Sequence, residues 1–324
     1  LLLLCLLPCL AHAGPQYSFT DLGPALTVGG LNDAGRVVGA VLQEGQQAPA
    51  RLTGAVPELL APTGRADAIQ GQLIVGYAGQ GLINQEAFLF TPQRGLTRLG
   101  LLPGGNASEA TAVNPLALVV GYGDTRAGTV VPVVWWLGGR WQLPLPHGGD
   151  GHAYAVSPFG RIVGNADTAT GDFHAMLWFL GQAKDLGTLG GPFSSAAGVI
   201  DAPVVVVGWS HTPTGMVGIT WTPHDGMQAL PALSPDLPYC DARALNQAGV
   251  IVGLCAPAGM GPSHAVAWRD RQILDLNTVG LPVGWVLETA MDINTAGQIA
   301  GIGRLSGQSR AWRLTPVPDR LARR

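Results

Sequence analysis

A two-part signature recurs seven times along the chain, and a unit that repeats must stack against copies of itself. Its first part is a short apolar run closing on glycine, at Gly39, Gly76, Gly121, Gly164, Gly208, Gly253 and Gly301. Its second is a large apolar residue at Leu52, Phe90, Trp136, Trp178, Trp221, Trp268 and Trp312. Copies follow one another at roughly 44 residues, the length of four short strands and of one propeller blade. The segments are strand-like: Leu118-Val119-Val120-Gly121, Ala87-Phe88-Leu89-Phe90 and Val204 to Val207 are β-branched or aromatic runs bounded by turn residues. Asn32-Asp33-Ala34-Gly35, Asn246-Gln247-Ala248-Gly249 and Asn294-Thr295-Ala296-Gly297 read as hairpin turns, with Gly at the left-handed position.

The ends of the repeat array predict how it closes. The last unit stops after Ala311-Trp312, short of the Asp-Leu-Gly strand that ends the others. Tyr17-Ser18-Phe19-Thr20-Asp21-Leu22-Gly23 is that strand without its predecessors. Supplied from the N-terminus, it completes the last blade and removes two free sheet edges. Asp319-Arg320-Leu321 is the rival donor, weakened by Pro316 and Pro318. The expected fold is all-β: a single seven-bladed β-propeller over residues 14–315, four antiparallel strands per blade, followed by a short basic tail, 316–324. An open β-solenoid or two stacked β-domains are the alternatives.

Residues 1–13, LLLLCLLPCLAHA, carry an apolar run ending in Ala11-His12-Ala13, the pattern of a secretory leader and its cleavage site. With no initiating Met and no basic stretch before it, the run reads as a leader truncated at its start. It is shorter than the 20 or so apolar residues of a membrane span. The expectation is an exported chain, extracellular or periplasmic. Cys5 and Cys9 leave with the leader, so Cys240 and Cys255 remain. In an unbulged hairpin turning at 246–249 the two thiols face each other; a bulge at Gly249 shifts the register by one and separates them. A disulfide and a pair of small buried hydrophobes both stay open. Two thiols without nearby histidines make no zinc site, and no metal or cofactor motif is found.

His174-Ala175-Met176-Leu177-Trp178, His264-Ala265-Val266-Ala267-Trp268, Asp185-Leu186-Gly187-Thr188-Leu189-Gly190-Gly191 and the Asn-x-Ala-Gly turns resemble the bacterial extracellular HAF-repeat proteins. The His-Ala-Phe signature is degenerate here, with Glu86 in place of His before Ala87-Phe88. The resemblance covers nearly all of 17–312. It implies an exported bacterial protein and carries no defined activity or catalytic residues.

A functional site should stand out as variation within a repeated position. Immediately before the first small residue of each inner strand stand Thr27, Arg65, Glu109, His152, Ser195, Asp241 and Thr289. In a propeller these form a ring about the axis, and two residues on Asp67, Tyr154 and Arg243 add to it. A polar ring at a channel mouth is a natural ligand site, although wet positions tolerate polar residues for no functional reason. His174, His264, Asp21, Asp185 and Asp275 recur with the repeat and read as braces for outer strands. The tryptophans read as packing between blades, with sugar platforms as the alternative.

These features favour an exported, non-enzymatic protein that binds a glycan, a cell-wall polymer or an envelope protein. With Lys184 the only lysine and charged residues only 12% of the chain, nucleic acid is excluded as a partner. A secreted carbohydrate-active enzyme is one alternative: His152 or Tyr154 as base, with Arg65 or Arg243 neutralising a uronate, would suit β-elimination. Glu109 and Asp241 lie three blades apart, too wide for the roughly 5–9.5 Å of a glycosidase carboxylate pair. A structural envelope protein is the other.

Overall fold

The computed structural model describes residues 16–79, 85–259 and 261–318. The leader-like run and Asp319-Arg320-Leu321 lie outside those residues. The described chain forms seven four-stranded antiparallel sheets in a ring, a seven-bladed β-propeller. Blades 1 to 6 are consecutive in sequence and span 27–59, 64–98, 108–142, 151–185, 194–229 and 239–275. The seventh takes three strands from 285–316 and its outermost strand from Tyr17–Pro24. Tyr17 faces Pro316 and Asp21 faces Trp312 across that seam. The last strand runs to Pro316, one residue beyond the expected limit of the propeller.

The apolar core is divided among the blade interfaces. Seven buried clusters each draw on two neighbouring blades. One joins Val75 and Ala87 of blade 2 to Ala110, Val119 and Trp135 of blade 3. Another joins Leu22, Val28 and Leu52 to Ala300 and Ala311 across the seam. The tryptophans belong to these interfaces. Trp178 and Trp268 are fully buried, and their indole N–H groups donate to Pro144 O and Pro231 O on the preceding interblade linkers. Two members of the expected column are displaced. Trp135, not Trp136, faces Val119 in blade 3, and Trp136 is exposed. In blade 7 the equivalent residue is Leu314, facing Ile299, while Trp312 lies opposite Gly301.

The repeat glycine has a steric cause. Every innermost strand carries a one-residue bulge, at Gly29, Asp67, Thr111, Tyr154, Ala197 and Arg243, with two register shifts in blade 7. Beside the bulge, the carbonyl oxygen of the preceding ring residue lies against the second strand. A Cβ on Gly121 would sit 1.9 Å from Glu109 O, and one on Gly253 2.0 Å from Asp241 O. All seven repeat glycines meet the same obstruction, so the marker legible in sequence is the footprint of the bulge.

Two local devices tie the ring together. The Asn32 side chain accepts from Ala34 N and Arg36 N, holding its own turn, and donates to Gly71 O of the next blade. Asn114, Asn246 and Asn294 repeat this toward Ser157, Asn294 and Asn32. On the outer strands His174 pairs with Asp185 and His264 with Asp275, each at 2.8 Å, and Arg310 takes the place of His against Asp21.

Cys240 and Cys255 face one another and are joined, with S–S 2.04 Å. The shift at the turn is present, and a second shift in the strand cancels it. The turn closes with Asn246 N donating to Val250 O, one residue longer than a tight loop, and the bulge at Arg243 restores the lost residue. A loop of this length contributes about 3 kcal/mol by restricting the unfolded chain. Replacing both cysteines by alanine should therefore lower stability by about 2–3 kcal/mol, read from denaturant unfolding. An unchanged midpoint, with or without reductant, would show that the bond contributes nothing.

Candidate functional site

The ring residues hold equivalent positions on the innermost strands, each facing the residue after the repeat glycine: Arg65 faces Tyr77, Glu109 faces Tyr122, His152 faces Asn165 and Ser195 faces Trp209. The bulge brings the next polar residue onto the same channel. Together they enclose a cavity of about 590 Å³, within the range of small-molecule sites. Of the residues expected from sequence, Arg65, Glu109, Tyr154, Ser195, Asp241 and Arg243 line it, with Thr27 and Asp67. His152 and Thr289 do not. The His152 ring packs edge-on to Tyr122 at 4.7 Å and stacks on Tyr154 at 5.8 Å, with Nδ1 3.2 Å from Asn165 Oδ1.

Sequence reasoning missed Thr111, Tyr122, Asn165, Phe173 and Trp209. Tyr122, Asn165 and Trp209 had a legible signal, since each directly follows a repeat glycine. These residues make one side of the cavity aromatic: Tyr122 and Tyr154 from blades 3 and 4, then Phe173, which meets Trp209 of blade 5 at 5.9 Å.

The opposite side is ionic. Arg65 lies between Asp67 and Glu109 and bonds both, and Gln85 donates to Glu109 Oε2 at 2.8 Å. In blade 6 Arg243 Nε stands 2.7 Å from Asp241 Oδ2, close enough for an ion pair but poorly aligned for a hydrogen bond. Burial opposes the charge on Arg65, but Asp67 and Glu109 outweigh it and keep the guanidinium protonated. Burial, opposed by Arg65 and reinforced by Glu109, pushes the Asp67 carboxyl up to about 7. Asp241 is likewise raised by burial against the pull of Arg243. Burial raises Tyr122 and Tyr154 and lowers His152.

Four buried polar atoms of lining residues, Thr27 Oγ1, Asp67 Oδ2, Asp241 Oδ1 and Arg243 Nε, have no hydrogen-bond partner among the described residues. A buried polar atom left unpaired costs about 1–3 kcal/mol, so these are the atoms of the lining that a polar partner would stabilise most. Among the described residues no three His, Cys, Asp or Glu side chains converge as a metal site. No helix among them is long and apolar enough to cross a membrane.

No family model matches the sequence. No curated protein matches it either. Solved structures do match. Puromycin hydrolase aligns with a TM-score of 0.52 at 16% identity, over 89% of this chain and 53% of that one. TolB from Acinetobacter baumannii aligns with 0.49 at 13%, over 88% and 64%. The SapL1 lectin, solved with alpha methyl fucoside, aligns with 0.47 at 15%, over 81% and 96%. This chain thus spans about half the length of puromycin hydrolase and less than two thirds of TolB. At such identities the likeness is one of fold.

Proposed function

We propose that this chain is an exported, non-enzymatic β-propeller that binds a small polar ligand, such as a glycan unit or an exposed group of an envelope polymer, in the axial cavity. The observation that carries the reading is the set of unpartnered buried polar atoms on residues that line one cavity together with Tyr122, Tyr154, Phe173 and Trp209. Hydroxyl or ammonium groups would satisfy the oxygens, and an apolar ring face would stack on Tyr154 or Trp209. The leader-like run 1–13 and the cysteine pair support export, and the repeat motifs support membership of the HAF-repeat proteins.

Against the lyase alternative, burial raises the Tyr154 phenol, which keeps it protonated, and the His152 ring is wedged between two tyrosines away from the cavity wall. The test is the melting temperature of residues 14–324 across mono- and oligosaccharides. A saturable upward shift is expected, and Trp209→Ala should weaken it about tenfold while the unliganded protein still melts cooperatively. If no saccharide shifts a cooperatively melting protein, or if Trp209→Ala leaves the affinity unchanged, the reading is wrong.

A further inference from the structure

The charge arrangement of the cavity narrows the ligand class, an inference that rests on the binding reading above. We propose that the cavity selects an ammonium-bearing sugar over its neutral and anionic analogues. Two guanidinium groups and three carboxylates line the wall, which leaves one net negative charge when all are ionised. Arg65 is engaged by both Asp67 and Glu109, whereas Arg243 has one ion-pair contact to Asp241 and an Nε–H with no aligned acceptor. An arriving carboxylate therefore finds Arg65 taken and must compete with Asp241 for Arg243.

Three of the four open bonding positions have the complementary character. Ionised Asp67 Oδ2 and Asp241 Oδ1 act purely as acceptors and Thr27 Oγ1 can accept as well, against the single donor Arg243 Nε. Asp241 is buried, 7% exposed, with Oδ1 unpartnered on the cavity wall. An ammonium group has three N–H donors and no acceptor, and its bonds to carboxylates are roughly twice as strong as those of a neutral hydroxyl. The three oxygens come from blades 1, 2 and 6, while Tyr122, Tyr154, Phe173 and Trp209 come from blades 3 to 5. The lining is thus ionic over blades 6, 1 and 2 and aromatic over blades 3 to 5, with Glu109 at the join, where it faces Tyr122. A hexosamine matches both, with its amine toward the carboxylates and a ring face on the aromatics. Burial, opposed by Arg65 and reinforced by Glu109, raises the Asp67 carboxyl to about 7, and a bound ammonium would draw it toward the ionised form.

The experiment is calorimetric titration of residues 14–324 with glucosamine, galactosamine and mannosamine, each beside its parent hexose and uronate, at pH 7 and low salt. At least one hexosamine should bind tenfold or more tightly than its hexose, with the uronate weakest. Asp241→Asn keeps the shape and removes the charge, so it should reduce that preference to within about twofold; Asp67→Asn is the second variant, should the first fold poorly. Equal affinity for hexose and hexosamine overturns the inference and leaves the binding reading standing. A uronate as the tightest ligand overturns it in favour of Arg65 or Arg243. No binding by any of the nine sugars to a folded protein overturns both.

Discussion

A chain lacking residues 17–24 should fail to give a monomer with a single sharp melting transition. That segment pairs with the last strand from Tyr17↔Pro316 to Pro24↔Arg310 and is the fourth strand of blade 7. It also brings Leu22, which is buried, Asp21, which pairs with Arg310 at 2.7 Å, and Phe19, whose ring meets Trp285 at 4.8 Å. Burying side chains of this size contributes about 1.5–3 kcal/mol each. The loss, about 5 kcal/mol or more, is comparable to the whole margin of a typical domain. The deletion also bares the nine-residue strand Gln308–Pro316 as a free edge, the usual template for association. Size-exclusion chromatography with thermal melting would read both effects. Tyr17 lies beside Pro316, and Val317 N donates to Gln16 O at 2.8 Å. Residues 16–24 re-attached after Val317 through a short turn should therefore restore the monomer. A truncated chain that still melts sharply as a monomer would show that the seam is not what holds the ring.

Gly121→Ala should cost about 3 kcal/mol or more, large for one methyl group. The new Cβ would lie 1.9 Å from Glu109 O and 2.9 Å from the Ala110 Cα, both backbone atoms with no rotamer to yield. Relief requires the bulge at Thr111 to move, which displaces Glu109 from Arg65. Stability and ligand affinity should therefore fall together, with the melting temperature lower by on the order of 5–10 °C. Gly259 is the control: no atom of the described residues lies within 4 Å of its added Cβ, and alanine there should be neutral or slightly stabilising. If the two substitutions have equal effects, the close approach at the repeat glycine is not a constraint.

The blades were legible because each repeat writes its strands and turns in the same order, and the missing outer strand was legible from its own motif at Tyr17 to Gly23. The bulges were not, since one extra residue in a strand changes no composition. That is why the pairing of Cys240 with Cys255 stayed open: it depends on two single-residue shifts of opposite effect. The tryptophan column went astray where two tryptophans are adjacent, at 135 and 136, and where blade 7 places leucine instead. The ionic half of the site was legible as a variable column within a repeat. Of its aromatic half, Tyr154 was legible in the neighbouring column, Tyr122 and Trp209 lie one strand further out, opposite the ring, and Phe173 had no repeat signal at all.

The seam also sets an order of events in time. Ser18 Oγ donates to Thr315 O, a contact spanning 297 residues. The first propeller strand to leave the ribosome must therefore wait for nearly the whole chain before its partner exists. Blades 1 to 6 have all their strands in local sequence and can form as they emerge, but the ring stays open until the strands of blade 7 have been made. A chain that closes last at its oldest segment holds that segment unfolded longest. That is the condition in which a leader just ahead of it would have to be read and threaded across a membrane.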